Sequence, residues 1–271
     1  MNWFKIYIRS SLHVALAVSA LVGITANEFD IKILKYFYFF IFFSTIAGYN
    51  FVKFVSIYKS SKHEISLFLK LIQLISVIAG LFFYFQLSKA SIVFVLFLAI
   101  VTFLYANPLH KNKNLRNLTG LKISIVALVW ASTTVVLPIL NENIELLNKN
   151  IWLSFIQRFL FIFILTLPFE IRDLKFDEST IETLPQRLGV CKTKLIGTFL
   201  LIVVLVLEFF KDEINMNHLY SLALITPILF LFLLFSKKNE PKYYSSFWVE
   251  SIPIVWYGLS SLILYNFNVF T

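Results

Sequence analysis

The sequence is poor in the residues that build several common kinds of protein site. It contains one cysteine, Cys191, so no disulfide can form within the chain. Its four histidines are scattered singly, without the spacing of zinc ligands. With only seven glycines, it has neither a phosphate-binding glycine loop nor a Gly-x-x-x-Gly helix-packing motif. These absences exclude a disulfide scaffold, a His/Cys zinc site and a P-loop.

Charged residues are also scarce, at 14% of the 271 residues, whereas 59% are hydrophobic. A soluble core of this size cannot bury so much apolar surface, so the lipid bilayer must solvate the chain. The net charge of +9 does not indicate nucleic-acid binding, because the basic residues lie in short segments between apolar runs. We expect a membrane protein that contacts lipid and has no nucleic-acid partner.

The hydropathy pattern predicts an all-α, polytopic membrane helix bundle of about nine transmembrane helices, forming a single domain over residues 1–271. Most of the apolar runs have the roughly 17–25 residues that cross a bilayer. The predicted spans are Ser10–Ala26, Ile33–Val55, Ile65–Gln86, Ile92–Ala106, Leu121–Leu140, Ile151–Phe169, Leu195–Phe210, Leu219–Phe235 and Phe247–Tyr265.

Lysine and arginine predict the orientation of the bundle. With the N-terminus inside, the inside segments hold 17 of these residues and the outside segments hold 5. This asymmetry follows the positive-inside rule. We therefore expect a bacterial cytoplasmic (inner) membrane protein with a cytoplasmic N-terminus and an outside C-terminus.

A cluster of acidic residues follows the sixth span. Glu170, Asp173 and Asp177 are spaced i, i+3 and i+7, so a helix continuing through them would carry all three carboxylates on one face. Such a cluster at the cytoplasmic boundary suits one or two Mg²⁺ ions and, through them, a diphosphate. The alternative is a solvated juxtamembrane loop of mixed charge.

These residues carry a resemblance to a known family. The segment Glu170-Ile-Arg-Asp-Leu-Lys-Phe-Asp177, with the following Thr183-Leu-Pro-Gln-Arg-Leu-Gly189, is similar to the second aspartate-rich motif of the UbiA superfamily of intramembrane prenyltransferases. The loop from Tyr105 to Arg116 resembles the tyrosine-led basic loop of that family. The likeness extends over essentially the whole chain.

The resemblance implies a function and a set of site residues. Members of the family bind a polyprenyl diphosphate through Mg²⁺ held between two acidic motifs, and they join the prenyl group to an aromatic or other lipophilic acceptor. Carried over to this chain, the catalytic and metal-binding residues would be Glu170, Asp173 and Asp177. The diphosphate-binding residues would be Asn50, Lys53, Lys70, Tyr105, Lys111 and Arg172.

The first acidic motif of the family is degenerate here. Asn50 fits the pattern, but Phe54 and Tyr58 stand at the positions of the two following carboxylates, and neither side chain binds Mg²⁺. Lys53 either contacts phosphate directly or serves as a topology determinant at the lipid headgroups. Asn50 either contacts ligand or caps the end of its helix.

Two basic residues lie inside predicted spans. Lys70 is close enough to the cytoplasmic end of the third span to reach the interface, or a diphosphate near Asn50. Arg158 is about two turns from the outer end of the sixth span, where an arginine normally faces the bundle and pairs with a partner.

Two functions therefore remain open. The first is Mg²⁺-dependent prenyl transfer from an isoprenoid diphosphate to a lipophilic acceptor through the second motif. The alternative is a catalytically inactive UbiA-like protein that binds lipid or acts with a protein partner as the subunit of a membrane complex.

The orientation can be tested directly. We expect reporter fusions to place the N-terminus and the loop Lys237–Lys242 in the cytoplasm and Thr271 outside, because the basic residues favour the inside. A cytoplasmic reporter at Thr271 would contradict the count of nine spans and the cytoplasmic location of the acidic residues.

Overall fold

The structure is a computed structural model that describes residues 3–60, 66–110, 113–114, 121–175 and 183–270. Within these ranges the chain is almost entirely helical. A short antiparallel hairpin pairs β1 (Pro108–His110) with β2 (Lys113–Asn114). The helices are α1 (Trp3–Arg9), α2 (Leu12–Glu28), α3 (Lys35–Ser60), α4 (Leu67–Tyr84), α5 (Lys89–Ala106), α6 (Leu121–Ala131), α7 (Leu137–Asn141), α8 (Lys149–Asp173), α9 (Leu184–Glu208), α10 (Met216–Phe235) and α11 (Ile252–Phe270).

The described helices confirm the predicted all-α membrane bundle. Eight are long and apolar enough to cross a bilayer, and the bent pair α1 and α2 raises the total to nine. A π-helical segment, Ser132–Val136, joins α6 to α7 within one such span. Helices suit this environment because they satisfy every backbone hydrogen bond within one segment. The protein is therefore a multi-pass membrane protein.

Polar residues define the beginnings of several helices. Ser66, Ser88, Asn148 and Asn215 each lie just before a helix, and each side chain accepts a hydrogen bond from a backbone N–H of the first turn. Such caps satisfy amide groups that have no partner within the helix. These four residues therefore define where their helices begin.

The helices differ in how deeply they lie in the bundle. Helix α2 and the second half of the α6–α7 span are buried, and α8 contributes fully buried side chains such as Phe161 and Ile164. Helix α4, by contrast, exposes most of its apolar surface, including Leu74, Ile75 and Phe82. Lipid tails are the natural partner of that surface in a bilayer.

Arg158 finds its partners inside the bundle, as the sequence predicts. Its guanidinium donates to the carbonyl oxygen of Leu21 at 2.8 Å, and to the hydroxyls of Thr134 and Thr25 at 3.3 and 3.4 Å. It also lies 5.2 Å from the centre of the Trp256 ring. These contacts join α2, α8, α11 and the π-helical segment around one buried cation.

A sharp break separates α1 from α2. The two helices meet at 57°, and Ser11 at the junction has a φ of 65°, which is unusual for a residue other than glycine. The break places the side chain of Ser11 and the carbonyl oxygen of Ser10 against α3. It therefore places the junction of α1 and α2 against Asn50 of α3.

The Thr183–Gly189 segment begins α9 with a capped first turn and ends at a kink. The side chain of Gln186 accepts a hydrogen bond from the Thr183 backbone N–H at 2.7 Å, and Pro185 lies in the first turn, where its missing N–H costs nothing. Gly189 has a φ of 78° and kinks α9 after this first short helical piece. Only glycine adopts this backbone readily.

Close packing between α2 and α11 yields a stability prediction. A Cβ atom at Gly23 would overlap the Tyr257 ring, so we expect Gly23→Ala to cost about 1–3 kcal/mol by overpacking. In the same bundle, a Cβ atom at Gly258 would meet no other atom within 4 Å, and Gly258→Ala should raise stability slightly. Melting temperatures in detergent would check both, and a neutral Gly23→Ala would contradict this packing.

Candidate functional site

Two carboxylates of the acidic cluster, those of Glu170 and Asp173, are paired with cations of the protein itself. Glu170, near the end of α8, is 3% exposed and lies 2.7 Å from the ammonium of Lys122 on α6. Lys122 also lies 3.9 Å from the Oδ2 atom of Asp173. The other oxygen of Asp173 accepts from both Nε and Nη2 of Arg172 at 2.8 Å. This end of α8 is therefore an ion-paired cluster.

Asn50 and Lys53 form a second polar group on α3. Asn50 is fully buried, accepts a hydrogen bond from the Ser11 hydroxyl at 2.9 Å and donates to the Ser10 carbonyl oxygen at 3.3 Å. The Lys53 ammonium donates to the Ser11 hydroxyl at 2.7 Å and to the Arg9 carbonyl oxygen at 3.5 Å. Asn50 thus binds the break between α1 and α2, and it does not cap the end of α3.

Glu250, which no sequence motif singles out, lies within electrostatic range of both groups. It lies between the π-helical segment Tyr244–Val249 and α11, and its carboxylate interacts electrostatically with Lys53 and with Arg172. The sequence offered one signal for Glu250, namely its place inside the last predicted span. An ionisable residue within a membrane helix usually marks a function or a specific partner. The charged region is therefore defined by residues of four segments. They are Lys53 on α3, Lys122 on α6, Glu170, Arg172 and Asp173 on α8, and Glu250 just before α11.

The described residues do not form a magnesium site. Among them, no group of three or more Asp, Glu, His or Cys side chains is placed to hold a metal ion. Phe54 lies beside Lys53 on α3, where a carboxylate ligand would be needed, and lysine and arginine neutralise Glu170 and Asp173. Mg²⁺ requires several oxygen ligands in near-octahedral geometry, and this donor set does not supply them.

Several predicted site residues fall elsewhere. Lys70 is exposed on the first turn of α4, and no contact described for it joins it to the charged region. Helix α8 ends at Asp173, so the described helix does not carry the predicted face on to Asp177. Asp177 and Lys111 lie outside the described residues, as does the side chain of Tyr58.

A large apolar cavity of about 600 Å³ lies next to the charged region, among α2 to α7. Its wall is formed mainly by aliphatic and aromatic side chains, and hydroxyl groups such as those of Ser44 and Thr102 contribute a few polar points. The aromatic residues of the wall are Phe40, Tyr49, Phe51, Tyr84, Phe103, Tyr105 and Trp130. Its size is typical of a site for one elongated organic molecule.

Helix α3 carries both cavity-lining and polar residues. Tyr49 and Val52 line the cavity directly beside Asn50 and Lys53 in the chain, and Tyr49 accepts a hydrogen bond from the Trp130 indole N–H at 2.8 Å. Tyr105, one of the predicted site residues, is buried and also lines the cavity. The arrangement can hold an amphiphile with its apolar part in the cavity and its anionic part among Lys53, Lys122 and Arg172.

Comparison by structure identifies the fold. A UbiA homologue from Aeropyrum pernix K1 superposes with a TM-score of 0.67 and 13% sequence identity, over 93% of this chain and 97% of that one. A UbiA homologue from Archaeoglobus fulgidus, solved with GPP and Mg²⁺, gives 0.62 and 11% identity over 94% and 97%. The chain has the UbiA fold.

A third solved structure, that of a digeranylgeranylglyceryl phosphate synthase, matches with a TM-score of 0.58 and 16% identity over 97% of both chains. Compared by sequence, the chain matches no family profile and no curated protein. The resemblance drawn from the second acidic motif is thus confirmed at the level of the fold. At this level of sequence identity, the structural match shows the fold and does not show the activity.

The buried ion pair of this UbiA-like site can be tested by a double-mutant cycle. We expect Glu170→Leu to cost about 3–5 kcal/mol of stability, because it leaves the partly buried Lys122 without its nearest carboxylate. Adding Lys122→Met should recover much of that loss.

As a control, Lys149→Met removes one partner of the pair with Asp212, whose side chains are 59% and 62% exposed, and should change little. Unfolding in detergent would compare five proteins: the native protein, Glu170→Leu, Lys122→Met, their double variant and Lys149→Met. A double mutant as unstable as Glu170→Leu would show that Lys122 and Glu170 are not coupled.

Proposed function

We propose that the protein is a UbiA-superfamily member that binds an isoprenoid diphosphate, with the prenyl chain in the cavity and the diphosphate among Lys53, Lys122 and Arg172. The observation that carries the proposal is that the aromatic-lined cavity reaches two helices that carry these cations. Val52 lines it directly beside Lys53 on α3, and Ile125 lines it about one turn from Lys122 on α6. In the same proposal, residues 1–271 form one domain in a bacterial inner membrane, with the charged region on the cytoplasmic side.

The cavity supports a prenyl chain as the apolar part of the ligand. Its wall offers almost only carbon surface, so an extended hydrocarbon gains from leaving water or lipid headgroups. Phe51 and Phe103, which stack with their ring centres 6.3 Å apart, and Trp130 line it. Flat aromatic surfaces of this kind suit the planar double bonds of an isoprenoid.

The cations support a phosphate headgroup. Arg172 presents a planar guanidinium suited to bidentate contact with phosphate oxygens, and lysines add point charges. At present these cations face Glu170, Asp173 and Glu250. A diphosphate must therefore compete with internal carboxylates, and its binding should loosen the contacts of Arg172 with Asp173.

Magnesium does not enter this proposal, although the Archaeoglobus fulgidus homologue was solved with it. The described residues of this chain do not supply its ligands. Direct recognition by lysine and arginine is the arrangement that they fit. Binding of the diphosphate should then persist when divalent cations are removed.

A second candidate is prenyl transfer to a lipophilic acceptor. It is favoured by one observation, namely that Glu170 of the second motif pairs with Lys122, which lies about one turn from the cavity-lining Ile125 and Val126 on α6. A water-poor aromatic surface would stabilise an allylic cation by cation–π interactions. The alternative, a protein that binds lipid without turnover as part of a complex, has the same binding site.

Binding can be tested with matched cavity variants. We expect GPP to raise the melting temperature of the purified protein in EDTA. Gly48 lines the cavity and has open space where a Cβ atom would lie, so Gly48→Phe should fill the cavity and weaken binding about tenfold or more. Gly258 has the same open space but lies on α11, so Gly258→Phe should keep the binding.

The melting assay tests the binding site, and an assay of diphosphate release separates the two candidate functions. Equal loss of binding in both variants would contradict the cavity as the binding site, and a GPP effect that requires Mg²⁺ would contradict metal-independent recognition. Release of diphosphate from GPP in the presence of membrane lipids would favour transfer. Binding without release would favour the lipid-binding alternative.

A further inference from the structure

A second polar cluster lies toward the opposite end of α8, about 20 Å along the helix from Glu170 at the 1.5 Å rise per residue. It contains Glu28 at the end of α2, Gln157 on α8, Glu208 and Lys211 at the end of α9, and His218 in the first turn of α10. All five residues are at most 9% exposed. The proposed isoprenoid site uses none of them.

Lys211 is the centre of this cluster. Its ammonium lies 2.7 Å from Oε1 of Glu28 and 2.6 Å from Oε2 of Glu208. The Ser154 hydroxyl also donates to Glu28, and the Gln157 amide nitrogen donates to Oε2 of Glu208 at 3.0 Å. The sequence pattern had placed Glu28 and Lys211 in outside loops. The structure instead buries both, because each satisfies the charge of the other.

Polar atoms remain unsatisfied in this cluster. Oε1 of Gln157, Oε1 of Glu208 and Nδ1 of His218 are buried and have no hydrogen-bond partner in the described structure. The imidazole nitrogens lie 3.7 Å from carboxylate oxygens of Glu28 and Glu208, which is too long for a hydrogen bond. Buried polar groups in native proteins are nearly always satisfied, if necessary by water.

A small cavity lies where these atoms need a partner. Its volume is about 10 Å³, and Glu28, Ser154, Gln157, Arg158 and His218 line it together with Val204, Leu222 and Trp256. This volume is close to the minimum that holds one water molecule. The three hydrogen bonds described for Arg158 also leave two of the five N–H groups of a guanidinium without a described acceptor.

We propose that this cavity is a binding site for a single water molecule that bridges Arg158, Gln157 and His218. Water accepts a hydrogen bond from the guanidinium and donates one to Oε1 of Gln157. Because it both donates and accepts, it also complements Nδ1 of His218 in either tautomer. A buried water with three such partners is typical of protein interiors.

The charges of the cluster favour water over a cation. Glu28 and Glu208 are matched by Lys211 and Arg158, so the cluster carries no net charge while His218 is neutral. A sodium ion would add a positive charge next to a guanidinium and an ammonium. A neutral guest fits this balance.

The first test uses two variants of the same size change. Val204→Ile adds one methylene at the wall of the small cavity, whereas Val126→Ile adds one at the wall of the 600 Å³ cavity. Displacing a bound water strands Gln157 and His218, so we expect Val204→Ile to lower the melting temperature by about 2–5 °C. Val126→Ile should change it little. A rise in Val204→Ile, as filling a dry cavity would give, would overturn the proposal.

The second test is direct and does not depend on a variant. In a high-resolution experimental map of the native protein, density for one water is expected within hydrogen-bond distance of Arg158 and Gln157. An empty cavity between well-resolved side chains would overturn the proposal. So would a higher melting temperature in sodium chloride than in choline chloride of equal ionic strength, because it would identify the guest as a cation.

Discussion

Pairing of buried charge at both ends of α8 is the constraint on which the rest of the structure depends. The bilayer offers no water to an ionised side chain, so each charge on this helix must find its partner in the bundle. Near one end, Lys122 pairs with Glu170. Toward the other end, Gln157 donates a hydrogen bond to Glu208, which is paired with Lys211. Between them, Arg158 is bound by backbone and hydroxyl oxygens. These contacts join α2, α6 and α9 to one central helix.

The same constraint changes the character of the candidate site. In a site built for a metal ion, carboxylates stay available because the ion supplies the positive charge. Here the positive charge is on protein side chains, those of Lys53, Lys122 and Arg172. The absence of carboxylates at Asn50 and Phe54 of α3 and the ion pairing on α8 have the same physical consequence, because neither leaves described carboxylates available to a metal ion. The fold and the apolar cavity remain.

Local sequence patterns predicted the bundle well, because long apolar runs have few alternatives in a membrane. The spacing of Glu170 and Asp173, with the Thr183–Gly189 segment, also led to the correct fold. Sequence could not reveal that Glu250 lies within electrostatic range of Lys53 and Arg172, since these residues are far apart in the chain. Nor could it show that Glu28 and Lys211 are buried together, because residues at the end of an apolar run look the same whether they face solvent or a partner.

The break at Ser11 makes the N-terminal helix part of the site. The same hydroxyl that donates to Asn50 accepts from the Lys53 ammonium, and the Arg9 carbonyl oxygen, the last of α1, is the second acceptor for that ammonium. Helix α1 has no fully buried residue and carries exposed Trp3 and Phe4, a pattern suited to the headgroup layer. A shift of α1 within the headgroup layer would therefore move both oxygen atoms that accept from the Lys53 ammonium, although α1 lies outside the helices that form the cavity.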